Sequence, residues 1–424
     1  MARPSLFRQP DFARLWVGQT LSQIGSQIGG TAIGFLAILT LNMGAGQLGV
    51  LNGLRAIPAL AFGLFAGVIV DRLRRKPLLI AADLGRAGLL ALIPILALTG
   101  GLRVEHLYVI TLGVTSLAVL FDVAYPAYLP ALVEPGQLVE GNSKLAMSDS
   151  IAEITGPGLG GALTQALSPA LAIAFDAVSF VASALSLGMI RRPEPPPAPA
   201  EARQSMLREA RDGLRLAARE PILRALLGAD AVQSIASGII GTLYLLYVTE
   251  TLGVPPVVNG LLIGIGGVSA LIGAAVADRV TRRFGIGPTM VGARLLSPVS
   301  GLLLVFASGP LSVVVAMLAL AQATDAKWAI YGVCEQSLRQ AVTPNAFLGR
   351  VSATGRLLNG VLLPIGALLG GALGEWLGLR PAIGIGFLVL AASMLFILFS
   401  PIRTLRALPV GSGDQPCILK KAPR

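Results

Sequence analysis

The chain has 424 residues, of which 54% are apolar and 13% charged, and its mean hydropathy is +0.75. A soluble domain carries about 25% charged residues, so half the usual polar coat is missing and lipid must serve as part of the solvent. Two cysteines and one histidine leave no disulfide framework or zinc site to build, no HExxH, GxSxG or P-loop lysine motif points to an enzyme, and no cofactor is expected.

Apolar runs of roughly 20 residues, enough to cross about 30 Å of hydrocarbon, recur along the chain. They cover 14–41, 46–70, 77–99, 106–130, 142–165, 169–190, 221–248, 257–278, 288–306, 310–334, 347–374 and 379–400. Gln19, Ser22, Gln23, Ser26 and Gln27 interrupt the first run and no small-residue cleavage site follows, so it is expected to remain as a helix. The longest interruption opens with a proline-rich stretch from Pro193 to Pro199. Beyond it Leu207, Ala210, Leu214 and Ala217 recur at helical spacing against Arg208, Arg211, Arg215 and Arg219, the pattern of a surface amphipathic helix. The expected organisation is all-α and membrane-integral. It has a six-helix bundle over 1–190, a cytoplasmic linker over 191–220, a second six-helix bundle over 221–400 and a cytoplasmic tail over 401–424.

The net charge of +11 comes from 33 Lys and Arg against 22 acids, and its meaning depends on position. Cations gather in the amino-terminal arm, in the second loop (Arg72, Arg74, Arg75, Lys76), in the linker, in the eighth loop (Arg279, Arg282, Arg283) and in the tail, whereas the opposite loops hold only Arg103 and Arg380. This is the positive-inside distribution of a multi-pass membrane protein with both termini cytoplasmic, and it excludes nucleic acid as the partner of the positive charge.

The two halves repeat. Arg14, Gly18 and Gln23 correspond to Arg224, Gly228 and Gln233, and Asp71-Arg72 with Arg75-Lys76 corresponds to Asp278-Arg279 with Arg282-Arg283. Arg86 corresponds to Arg294, and Gly160-Gly161-Ala162-Leu163 to Gly370-Gly371-Ala372-Leu373. Parallel repeats of this kind are the architecture of alternating-access carriers. Over nearly its whole length the chain resembles a twelve-helix transporter of the major facilitator superfamily. The segment Tyr125-Pro126-Ala127-Tyr128-Leu129-Pro130-Ala131-Leu132-Val133 followed by Asn142 is similar to the fourth loop of that superfamily's enterobactin exporter and macrolide efflux branch.

The resemblance assigns roles to particular residues. Gly67, Asp71, Arg72, Arg75 and Lys76 match the family's loop signature, with Arg74 where a glycine is usual, and Asp278, Arg279 and Arg282 repeat it. In the family these positions latch the outward-open state, an anion at one helix end pairing with the positive start of a facing helix, here near Gly349. Gly156, Pro157, Gly160 and Gly161 in the fifth span resemble the antiporter signature of drug exporters, where small residues permit close helix approach and proline bends the chain. Gln19 and Gln23 in the first span, Asp122 in the fourth, Asp230 and Gln233 in the seventh and Asp325 in the tenth lie on polar faces of helices that line the family's central cavity.

Ionisable groups inside a bilayer cost about 2.5–3.5 kcal/mol each at mid-helix, so each asks for a partner or a task. Asp83 and Arg86, one turn apart, are expected to form a structural ion pair. Asp122, Glu153, Asp230 and Asp325 are the expected proton-coupling carboxylates. The sequence therefore reads as a secondary active exporter in a bacterial cytoplasmic membrane, expelling a drug, macrolide-like compound or siderophore against inward protons. Membrane lipid, protons and a small-molecule substrate are its expected partners. The alternatives are an importer or facilitator of a polar metabolite or lysophospholipid, and a non-transporting receptor.

Overall fold

A computed structural model describes residues 6–59, 61, 73–194, 214–216, 218–344 and 347–409. Among these residues the only regular structure is helix. The first compact unit comprises Met1–Arg203 with Val248–Gly264, and the second Gln204–Tyr247 with Ile265–Arg424.

In the first unit the helices are α1 (Pro10–Phe35), α2 (Ala45–Leu54), α3 (Arg75–Leu98), α4 (Val104–Leu132), α5 (Leu138–Ala166) and α6 (Pro169–Gly188). Proline opens α1 and α6, where its missing N–H costs nothing, and the Ser168 hydroxyl accepts from the Leu171 N–H to cap α6. Helix α1 packs against α5 and α6, and α3 against α4 and α6. Phe12, Leu15, Leu79, Phe121, Tyr128 and Leu129 fill the core between them.

The remaining helices are α7 (Pro221–Leu246), α8 (Pro256–Phe284), α9 (Ile286–Leu295), α10 (Ser297–Val305), α11 (Leu311–Ala323), α12 (Ala326–Val342), α13 (Leu348–Leu377) and α14 (Leu379–Leu398). Helix α7 packs against α13 and α14 as α1 does against α5 and α6, so the duplication read in the sequence is a duplication of packing. Wide turns end α1 and α7 at matching places, Leu36–Thr40 and Tyr247–Thr251. In each the chain then folds back with the Met43 N–H on the Ala37 carbonyl or the Val254 N–H on the Val248 carbonyl.

Among the described residues nine helical spans are long and apolar enough to cross a membrane. They include α9 with α10 and α11 with α12, so the ninth and tenth expected spans each arrive in two pieces. Helices α1 and α5 occupy the first and fifth expected spans with a more polar, glycine-rich composition, and α2 covers the start of the second, whose remainder lies outside the described residues. Large apolar side chains such as Phe175, Val178 and Leu185 stand exposed along α6, as lipid contact requires. Most of the expected linker helix and the tail from 410, with Cys417, lies outside the described residues.

Candidate functional site

Each unit carries a nest of charged side chains inside apolar helices. In the first, Arg86 pairs with Asp83 one turn earlier on α3, the pair expected from spacing, and both are buried. The guanidinium is held between two rings, 4.4 Å from the centre of Phe121 on α4 and 4.1 Å from that of Phe180 on α6. Arg86 is also within electrostatic reach of Asp122 and Asp176. Asp176, on α6 and 4% exposed, lies against the backbone of α1 at Gly29, where any side chain would overlap its carboxyl. One cation therefore serves three carboxyl groups. Sequence reasoning placed Asp122 in this role and left Asp176 unassigned, because only the α1–α6 contact reveals its position. Asp122 itself is exposed, and so is Glu153, which lies on α5 one turn after Asp149. Gln19 is buried and Gln23 half-buried on α1.

The small residues of α5 serve close approach. A side chain at Gly156 would strike Gln27 and one at Gly160 would strike the Ile28 backbone, both on α1, while Gly161 abuts the Pro256 carbonyl at the start of α8. The Pro157 carbonyl meets Gly260 on the same helix.

Of the expected latch, Gly67, Asp71 and Arg72 lie outside the described residues. Arg75 and Lys76 begin α3, and the Glu194 carboxylate accepts from their backbone N–H groups at 2.8 and 3.1 Å, capping the helix from a residue far along the chain. The Arg75 guanidinium stands 3.6 Å from the same carboxylate. The Lys76 ammonium donates to the carbonyls of Gly188 and Ile190. Asp11 does the same work from α1, accepting from the N–H groups of Arg191 and Arg192 and from the Arg14 side chain. Partial burial opposes the charge on Asp11, yet these donors prevail and hold its carboxyl below the ordinary carboxylate value. Asp278 and Arg282 pair along α8 at 2.5 Å, both largely exposed, and Arg279 is exposed beside them.

In the second unit Asp230 on α7 meets Arg339 on α12 at 3.2 Å, and Arg339 also pairs with Glu335 one turn before it. Arg339 lies near the end of α12, where Asp230 takes its charge. Gln233 is half-buried on α7 with an unmatched side-chain oxygen. Arg294, the repeat mate of Arg86, is 2% exposed and lies 3.8 Å over the ring of Tyr331, with none of its three side-chain nitrogens reaching an acceptor. The position that would match Asp83 is Val291, so the ring face is the direct contact of the guanidinium, with Asp230 on α7 within electrostatic reach.

The tenth span breaks between α11 and α12. The Ser269 hydroxyl of α8 donates to the Ala323 carbonyl at 2.6 Å and accepts from the Ala326 N–H at 2.9 Å, so one side chain satisfies both loose ends. Asp325 sits in the break, and the buried Lys327 ammonium lies 3.1 Å from its Oδ1. A cavity of about 270 Å³ opens beside it, with Ser237, Tyr244, Gln322, Asp325, Trp328 and Phe387 in its wall.

Comparison with known proteins places these features in a family context. A family model described as Major Facilitator Superfamily matches residues 15–361. The chain is 23% identical over 400 residues to an uncharacterized MFS-type transporter, YfiS, of Bacillus subtilis, covering 94% of both chains. It is 28% identical over 356 residues to the multidrug efflux pump Tap of Mycolicibacterium fortuitum, covering 80% of this chain and 83% of that one. It is 29% identical over 236 residues to macrolide efflux protein A of Streptococcus pyogenes, covering 55% of each. Among solved structures the nucleoside transporter NupG superposes with a TM-score of 0.71 at 14% identity, covering 92% of this chain and 99% of that one. A bacterial homologue of the iron transporter ferroportin, inward-facing, gives 0.67 at 20% identity, with 92% and 99% covered. At these identities the structural likeness speaks to the fold alone.

Proposed function

Because the chain belongs to the Major Facilitator Superfamily, we propose that it is a secondary active exporter of an amphiphilic small molecule from the bacterial cytoplasm, exchanging cargo for inward-moving protons. The efflux relatives Tap and macrolide efflux protein A support export. Proton coupling rests on one observation: the single guanidinium of Arg86 among the carboxyls of Asp83, Asp122 and Asp176. A medium of low dielectric resists net charge, so such a cluster has reason to take up and release a proton as its exposure changes. Asp230 and Asp325 in the second unit and Glu153 on α5 are the further candidates, and Gln19, Gln23 and Gln233 supply uncharged polar surface for cargo.

Vesicles carrying the purified chain, challenged with a pH gradient and a panel of drugs, macrolide-like compounds and siderophores, test this reading. Asp122→Asn and Asp325→Asn are each expected to impair gradient-driven movement while the protein still inserts. Unimpaired exchange in the variant combining Asp122→Asn, Asp176→Asn, Glu153→Gln, Asp230→Asn and Asp325→Asn, with Asp83 still paired to Arg86, rejects coupling through these carboxylates. Gly67, Asp71, Arg72, Arg75 and Lys76, with Asp278, Arg279 and Arg282, form the latch in this reading. A cysteine introduced by Arg75→Cys should be shielded from aqueous reagent in the outward-open form, and equal labelling in every conformation removes the latch.

A further inference from the structure

The break in the tenth span is a cation site already filled by the chain itself. Three oxygens surround the Lys327 ammonium: the Thr324 carbonyl at 3.3 Å, the Thr324 hydroxyl at 2.9 Å and Asp325 Oδ1 at 3.1 Å. The side chain is 2% exposed, and at the break the Thr324 carbonyl accepts both the Lys327 N–H and its ammonium. Interrupted membrane helices commonly coordinate cations with backbone oxygens. Asp325 has a second oxygen. Its Oδ2 lies on the α8 side, where a methyl added to Gly266 would come within 2.9 Å of it, and the residue lines the cavity of about 270 Å³. Lys327 does not line that cavity, whereas the rings of Tyr244, Trp328 and Phe387 do. A carboxylate thus stands with its own ammonium at one oxygen and an aromatic-walled space beside the residue.

We propose that Lys327 and a cationic group of the cargo are alternating counter-ions of Asp325, so that Lys327 gives up its proton when a protonated amine on an apolar scaffold enters the cavity. One positive charge leaves, as the proton passes from Nζ to water, and one arrives with the cargo. The carboxylate, 28% exposed within an apolar span, is at no stage left without a cation beside it. Ring faces suit an organic cation, and the apolar walls of Ile240, Leu304 and Leu318 suit its scaffold. Few other charges face Lys327. Helix α9 brings Arg294, whose guanidinium lies 5.6 Å from the Trp328 ring while the Lys327 ammonium lies 5.7 Å from it. Helix α8 brings the uncharged Ser269 to the break. On α7 and further along α12, Asp230, Glu335 and Arg339 pair among themselves. The inference rests on the exporter reading and refines it, placing the coupling proton on a lysine and the cargo's charge on Asp325.

Calorimetric titration of the full-length chain in detergent with benzyltrimethylammonium, and with uncharged benzyl alcohol as control, tests it between about pH 6 and pH 9, because an exchange that releases a proton is favoured as pH rises. Wild-type affinity for the cation should rise with pH. Lys327→Met should bind it about tenfold more tightly at the acid end and lose the pH dependence, the usual scale for one charge-assisted contact. Lys327→Arg, which keeps its proton throughout, should bind weakly at every pH. The double variant Asp325→Asn with Lys327→Met, which leaves no charge unpaired, should lose the preference for the cation over benzyl alcohol. A flat wild-type profile, or Lys327→Met binding no more tightly than wild type, overturns the proposal. Vesicle export measured in parallel separates the two readings. Export without these binding effects refutes the exchange and leaves the exporter standing, whereas the binding effects without export keep the exchange and refute the exporter.

Discussion

The two units solve one problem, a buried arginine at matching positions, in different ways. Arg86 is neutralised by Asp83 on its own helix and has Asp122 and Asp176 near it as well, so its neighbourhood holds more acid than base. Arg294 makes no hydrogen bond to a carboxylate; it lies on the face of Tyr331, and Asp230, within its electrostatic reach, is already paired with Arg339. The second unit's carboxylates pair elsewhere, Asp230 and Glu335 with Arg339, and Asp325 with Lys327. A duplicated scaffold has therefore diverged in its charges while keeping its packing. The acid-rich neighbourhood is suited to taking up protons, and the paired one to exchanging partners.

Removing the two arginines is the sharpest way to break this comparison. Arg86→Met leaves Asp83, which is fully buried, without its cation, and should cost about 3–5 kcal/mol of stability, read as a large fall in unfolding temperature in detergent. Adding Asp83→Asn should restore part of the loss. Arg294→Met forfeits a ring contact and a distant attraction to Asp230, which keeps Arg339 as its partner, so its cost should stay within about 2 kcal/mol. If Arg294→Met proves the more damaging of the two, a ring face is not what stabilises that guanidinium and the contrast fails.

Next in size is Ser269→Ala, which strands the Ala323 carbonyl and the Ala326 N–H together and should cost about 1–3 kcal/mol. Hydrogen exchange at Ala326 should rise with it, whereas exchange within α3 should not change. An Ala326 amide that stays protected without the hydroxyl would mean that the two half-helices close on themselves.

What the sequence made legible follows from range. Helix existence depends on runs of apolar residues, and Asp83 with Arg86 depends on a single turn, so both were readable locally. The break at Leu296 had a local signal in Pro298, but the break at Thr324–Asp325 contains neither proline nor glycine. Its only mark is a Thr-Asp pair, side chains that compete for backbone groups in mid-helix. Glu194 reaches α3 across 119 residues and Asp230 reaches Arg339 across 109, distances at which one sequence without relatives holds no pairing information. Twofold repetition was the exception, since it turned a long-range relation into a comparison of two short strings.

The smallest expected effect concerns the ties at the end of the first unit. Asp11 binds the N–H groups of Arg191 and Arg192, and its side chain is 20% exposed, so solvent screens much of its contribution. Asp11→Ala should lower stability by about 1 kcal/mol near pH 7, a scale set by exposed ion pairs. The sign of its pH dependence follows from the carboxyl being held below its ordinary value of 3.8. Folding then favours the ionised form, so the contribution is present in full above that value and is lost as pH falls through the lower value of the folded chain. Unfolding temperatures of wild type and Asp11→Ala should accordingly differ at pH 7 and converge in acid. A difference that persists unchanged in acid would show that the side chain contributes through packing. The end of α6 would then be tied to α1 by the Arg14 contacts to Met189 and Ser186 instead.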